Sequence, residues 1–158
     1  MKASSMLPKF LRNLIEGAGY FEDLQIAIRN KDGLQVEKVL RSAFQDQETD
    51  EIVPLMGELC MADWHSMHED AVVLIQKFGE TQDVPALECV AGMNLSYLAY
   101  DERFGLARKA TWALADIGGD EAHQALERIA MWDNPVVAGY ARRRLTRWDV
   151  ECERKRNR

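Results

Sequence analysis

Apolar positions recur along most of this chain with the period of a helix, and no stretch alternates as a strand does. Over 104–118, Ala107, Ala110, Leu114 and Ile117 fall at i, i+3, i+7 and i+10, on one helical face. Asp101 and Glu102 mark the start of that helix and Gly118-Gly119 its stop. Over 120–131 the stripe is Ala122, Ala125, Leu126, Ile129 and Ala130. Asn134-Pro135 predicts an N-cap followed by proline at the first helical position, opening a helix through Val137, Ala141 and Leu145. Ser66-Met67-His68-Glu69 reads as a capping box ahead of Ala71, Val72, Leu74, Ile75 and Phe78, closed by Gly79. Pro54 and Pro85 suit the first turns of two short helices, one through Leu55 and Leu59, the other through Leu87 and Val90. A pair over 20–30 and 34–44 turns at Lys31-Asp32-Gly33, and 7–16 makes a further helix closed by Gly17-Ala18-Gly19. No segment reads as an inter-domain linker.

The helices repeat. Sliding the chain by 39 residues matches Ala71 to Ala110, Ile75 to Leu114, Phe78 to Ile117, Leu87 to Leu126 and Val90 to Ile129. A slide of 31 matches Ala110 to Ala141, Leu114 to Leu145 and Val53-Pro54 to Val84-Pro85. The unit is therefore about 31 residues of helix, glycine turn and helix. Such a unit cannot bury its apolar face alone, so the expected fold is all-α, a short right-handed α-solenoid forming one domain over 1–158. The eight extra residues of the longer slide fall between Met93 and Phe104, around Tyr97, Tyr100, Asp101 and Glu102. Insertions of this kind map to loops on one face, often the binding face. Tyr97 and Tyr100 there suit partner anchors, or Tyr97 and Leu98 fold back as a lid over the core.

The run Ala107 to Gly118, followed by Glu121-Ala122 and Ala125-Leu126, resembles the short HEAT-like repeat also called the phycobilisome-lyase-like repeat. The resemblance is clearest over 66–148. Trp64-His65-Ser66-Met67-His68-Glu69-Asp70-Ala71-Val72, Tyr97-Leu98-Ala99-Tyr100-Asp101 and Asn134-Pro135-Val136-Val137 are also similar to small bacterial HEAT-repeat proteins of polymorphic-toxin loci. That resemblance implies an immunity protein, including of the contact-dependent growth inhibition type, whose partner is a toxin domain at the C-terminus of a larger effector.

Composition narrows the classes. The chain has 158 residues, 47% hydrophobic and 29% charged, enough for one globular core. It has no apolar run of membrane-spanning length, and 1–9 lacks a signal-peptide core, so a cytoplasmic protein without membrane contact is expected. Cys60, Cys89 and Cys152 form no CxxC pair; Cys60 and Cys89 read as small buried thiols. The net charge of −6 is unevenly spread: 42–102 holds thirteen carboxylates against Lys77 alone, whereas 142–158 holds eight bases and three acids. The acidic stretch is either a solvated, solubilising surface or a field that repels nucleic acid and draws a basic partner. The basic tail, 149–158, reads as a capping helix end.

Candidate chemistry is sparse. His65, His68, Glu69 and Asp70 suggest a metal site or an acid–base pair, but their spacing lacks the one-face i, i+4 histidines of a helical zinc site. A structural capping cluster and a partner-facing patch are the other readings. His123 is isolated and expected to be exposed, and Trp112 with the methionines 56, 61, 67, 93 and 131 reads as packing. No nucleophile–base motif and no phosphate loop is present, so neither enzyme activity nor a cofactor or metal is expected. The partner-binding candidates are Asp46, Glu48, Asp50, Glu51, Asp63, Trp64, His65, His68, Asp70, Tyr97, Tyr100, Asp101 and Glu102. On this reading 46–51, 63–70 and 97–102 form one acidic surface that occludes the basic groove of a nuclease-type toxin. Reversing Asp101 and Glu102 to Lys is then expected to slow association without changing stability. A HEAT-type scaffold or adaptor is the alternative, and a chromophore lyase a distant third.

Overall fold

The computed structural model describes residues 19–156, which form nine α-helices and no strand. The helices are α1 (Tyr20–Arg29), α2 (Gly33–Asp46), α3 (Met56–Met61), α4 (His68–Phe78), α5 (Val84–Gly92), α6 (Gly105–Ile117), α7 (Gly119–Ala130), α8 (Pro135–Thr146) and α9 (Trp148–Arg156). The expected helix over 7–16 lies outside the described residues. Three short 3-10 segments, Asp50–Leu55, Thr81–Asp83 and Ser96–Leu98, sit in the connections.

Packing follows chain order in two rows. In one row α4 packs on α6 and α6 on α8; in the other α3 packs on α5 and α5 on α7. The hairpins α3–α4, α5–α6 and α7–α8 join the rows, and α1 pairs with α2. The sequence period appears directly in the polar ties between rungs. Lys109 donates to Glu69 at 2.6 Å, Gln76 to Asp116 at 2.6 Å, and Arg128 makes a two-pronged contact with Glu88 at 2.7 Å. Each tie spans 40 residues, one more than the longer of the two slides.

The core is the expected stripe. Ala71, Ile75, Ala110, Leu114, Leu126 and Ile129 are fully buried, while Ile117 and Leu145, each near a helix end, are only partly covered. Asn134 caps α8 as its sequence predicts, accepting from Val136 N and Val137 N. Gly118 and Gly119 have φ of +71° and +80°, so the stop signal is a two-residue corner from which α7 starts at once.

Other expectations are corrected. The segment opened by Asp50 winds first as a 3-10 helix, because Pro54 lies inside it and offers no N–H for the α pattern. Ser66 does not cap α4: its cap position is Met67, whose N–H is taken by His65. A capping box does occur, at Glu80 and Asp83. Cys89 is exposed, since Leu87 and Val90 take the inward face of α5. Met61 and Met131 are exposed too, because they stand at helix ends beyond the core.

The last helix is held by charge. Arg144 on α8 meets Glu151 on α9 at 2.9 Å, both nearly buried, with the guanidinium 4.6 Å from the centre of the Trp112 ring. Breaking such a pair leaves a buried charge uncompensated. In the centre of the array, Leu114→Ala should cost roughly 2–5 kcal/mol by opening a cavity between rungs. Urea unfolding of the two proteins measures this, and a loss below about 1 kcal/mol would contradict the packing.

Candidate functional site

Because successive helices run back and forth, the α1–α2, α3–α4, α5–α6 and α7–α8 connections share one edge of the array. A Cβ on Gly33, at the first of these turns, would lie 3.1 Å from the Trp64 carbonyl at the second. The connections 47–49, 79–83 and 118–119 lie at the opposite edge.

The centre of the first edge is an aromatic stack. Trp64 meets His65 edge-on at 5.1 Å, His65 stacks on His68 at 4.1 Å, and His68 stacks on Tyr97 at 5.7 Å. The hydrogen bonds settle the tautomers. His65 Nε2 donates to Leu59 O at 2.8 Å while its Nδ1 accepts from Met67 N at 3.0 Å. His68 Nε2 donates to Ala62 O at 2.6 Å, and its Nδ1 accepts from the Tyr97 hydroxyl at 2.9 Å. All four ring nitrogens are occupied by protein groups, so this pair has no lone pair to offer a metal. Among the described residues no group of three or more His, Cys, Asp or Glu is placed to hold one. Burial lowers the pKa of both histidines, that of His68 to about 4, and raises Tyr97 to about 12. It raises Asp70 as well, and pushes the Cys60 thiol up to about 12. The cluster is thus a neutral structural plug joining α4 to the inserted loop.

The insertion is partly folded onto the core and partly exposed. Leu95 is buried and Tyr97 and Leu98 pack on the core, whereas Tyr100 is 81% exposed. Asp101 shapes the backbone that leads into α6. Its two carboxylate oxygens accept from Arg103 N at 3.0 Å and Gly105 N at 2.6 Å, gripping the chain on both sides of Phe104. Phe104 is held in the left-handed region, φ +50°, a conformation that costs an L residue on the order of 1–2 kcal/mol. Tyr140 on α8 donates to Arg103 O at 2.6 Å and ties the loop to the next hairpin. Asp101 is therefore a cap, and its reversal is not neutral for stability; Glu102 is simply exposed.

Two clefts flank the insertion. An open one of about 740 Å³ lies between the α1–α2 turn and the stack, bordered by Asp32, Glu37, Asp63, Trp64, Ser96 and Tyr97. A more enclosed one of about 550 Å³ lies between the insertion and the α7–α8 turn, under Trp132. Leu34, Met61, Tyr100, Phe104, Met131 and Val136, six of the ten exposed large hydrophobic residues, belong to this edge.

The sequence candidates divide accordingly. Asp63, Trp64, His65, His68, Tyr97, Tyr100, Asp101 and Glu102 come together on this edge, with His65 and His68 buried in it. Asp70 sits in the first turn of α4, half-buried. Asp46, Glu48, Asp50 and Glu51 lie at or beyond the far end of α2, whose 14 residues span about 20 Å. Tyr20 donates a hydrogen bond to Asp46 there. The single acidic surface expected from the sequence is two, because a helix separates its parts. His123 is half-exposed against the edge of Trp148. Leu34, Phe104, Met131 and Trp132 were missed: each stands singly at a helix end, where periodicity is silent. No family model, curated protein or solved structure matches this chain.

Unfolded, each imidazole titrates near 6.5; folded, His68 titrates at about 4. Between those values the unfolded chain holds a proton that the folded one lacks, so acidification favours unfolding. Stability should be full well above pH about 6.5 and fall by roughly 3 kcal/mol towards pH 4. Urea midpoints across that range check this, and His68→Gln should flatten the profile. Separately, Asp101→Ala should cost about 1 kcal/mol, as for lost helix caps, and Glu102→Ala almost nothing. Thermal melts of the two variants tell these positions apart.

Proposed function

We propose that this chain is an immunity-type binding protein that neutralises a cognate basic toxin by covering the surface with which the toxin grips its substrate. The observation that carries the reading is the edge of four turns, where protruding apolar side chains stand among carboxylates. Leu34, Tyr100 and Met131 are each more than four-fifths exposed, at three of these turns. Asp63, Glu102 and Asp133 are exposed close to them in sequence. Apolar tips of this kind supply the lifetime of a complex, and rim carboxylates supply steering towards a basic partner. A toxin that handles nucleic acid must carry Lys and Arg where phosphates bind, and carboxylates meet that requirement directly. The repeat resemblance and the toxin-locus motifs point the same way.

On this reading the protein acts by binding and performs no chemistry. It contacts neither nucleic acid nor membrane, and works in the cytoplasm where the toxin is met. Among the described residues no helix is long and apolar enough to cross a membrane. The first edge is the toxin face, and Asp46 to Glu51 at the other edge contribute only to the distant field.

The test is association with the product of the adjacent gene, followed in rising salt and by survival of cells expressing that product. Asp63→Lys with Glu102→Lys should slow association about tenfold at low salt and increase killing, with the thermal midpoint unchanged. Asp50→Lys with Glu51→Lys should have a much smaller effect. Binding without salt dependence, unaffected by the first pair, would favour the adaptor reading instead.

A further inference from the structure

The enclosed cleft beside the insertion differs from everything else on the edge. Its floor is apolar, with Val90, Leu95, Leu106 and Val137, and one wall is the Trp132 ring. That ring packs close to Gly92, where a Cβ would come within 3.1 Å of it, so the absence of a side chain there lets the ring approach. The opposite wall is the insertion itself, ending at Phe104, which is 40% exposed and held left-handed by the grip of Asp101. Conformational strain maintained by its surroundings is a common mark of functional positions.

The mouth is negative. Asp101 and Glu102 border it, and no Lys, Arg or His lines the cavity; Arg103 is exposed but is not among the lining residues. Asp101 accepts two backbone N–H groups, and Glu102 is open to solvent. Two neutral polar residues also line the cleft: Asn94, which is exposed, and Asn134, whose side-chain oxygen is committed to capping α8. Tyr100 and Met131, 81% and 82% exposed, extend the apolar surface outwards.

We infer that this cleft is the anchor socket of the edge, taking one apolar side chain that is flanked by Lys or Arg on a segment of a basic protein. An apolar floor rewards burial of an aliphatic or aromatic group, while the carboxylate mouth selects for cationic neighbours and against anionic ones. The volume, about 550 Å³, lies in the range of sites that enclose small ligands. The larger cleft is open and bordered by Lys31 as well as acids, so it offers no comparable enclosure. The socket rests on the proposed reading of the edge as a face for a basic partner, and adds the chemistry of the contact.

The test is a nitrogen-15 NMR titration of the full chain with three capped tripeptides, Lys-Phe-Lys, Lys-Gly-Lys and Glu-Phe-Glu. Lys-Phe-Lys should shift the Trp132 indole N–H and the amides of Leu98 and Val137, and the other two should bind at least about tenfold more weakly. Ala99→Trp, at an exposed lining position, should plug the cleft and abolish the shifts with unchanged circular dichroism. Glu102→Lys, also exposed, should reverse the preference between Lys-Phe-Lys and Glu-Phe-Glu. No shift with Lys-Phe-Lys, equal binding of Glu-Phe-Glu, or undiminished binding to a natively folded Ala99→Trp would each overturn the socket. No toxin enters this titration, so its failure removes the socket alone, whereas failure of the edge reading shows in the salt dependence of association.

Discussion

The array depends on one helix that is buried from nearly every side. α6 packs against α4 and α8 in its own row, against its hairpin partner α5, and also against α7 and α9. A helix can be enclosed in this way only if its neighbours approach closely, which explains the small side chains at Ala107, Ala110, Ala113 and Ala115, all buried. Leu106 and Leu114 supply the apolar bulk between them. Thr111 and Asp116, the buried polar members of α6, have their own partners in the Arg108 carbonyl and Gln76. Small residues, and partners for Thr111 and Asp116, make the centre of the repeat tolerable to bury, although Trp112 Nε1 on the same helix is buried without a hydrogen-bond partner.

From that centre the two edges diverge. The side away from the insertion includes the tight corner at Gly118-Gly119. The side with the insertion carries the longest connection, 93–104, and its loops are held by polar side chains as well as by the core. His65 and His68 take backbone groups of 59–67, Asp101 holds 103–105, and Tyr140 fastens the same loop from the neighbouring hairpin. Ordering a loop in advance removes part of the entropy lost on binding.

The same use of polar groups changes the meaning of several charged and titratable residues. Two histidines beside acids resemble a reactive cluster in sequence, yet their nitrogens are all occupied and burial keeps them neutral. Among neighbouring carboxylates the division is equally sharp: Asp101 is committed to the backbone, Glu69 is paired with Lys109, and Glu88 with Arg128. Exposed acids such as Asp63, Glu102 and Asp133 remain to act at a distance. The acidic character of the chain is real, but only part of it can serve recognition.

The helices, their order and the repeat were legible in the sequence because they arise from local periodicity. Alanine and leucine at helical spacing, Asn134-Pro135 at a start and Gly118-Gly119 at a stop each act within a few residues of themselves. The position of the insertion was legible too, as a difference between two slides. What the sequence could not show is which ends of helices meet. Asp46 to Glu51 and Asp63 to Asp70 are near neighbours in the chain, yet the length of α2 and the reversal at each turn set their parts on different edges. Trp132 and Gly92 are 40 residues apart and form one wall, and Leu34 and Met131 acquire significance only because their turns share a side. Tertiary packing also decided that the cap position of α4 is Met67 and not Ser66, with His65, held by the Leu59 carbonyl, accepting the Met67 N–H. Local signals specify elements; the placement of side chains that stand singly at helix ends is settled only when those elements pack.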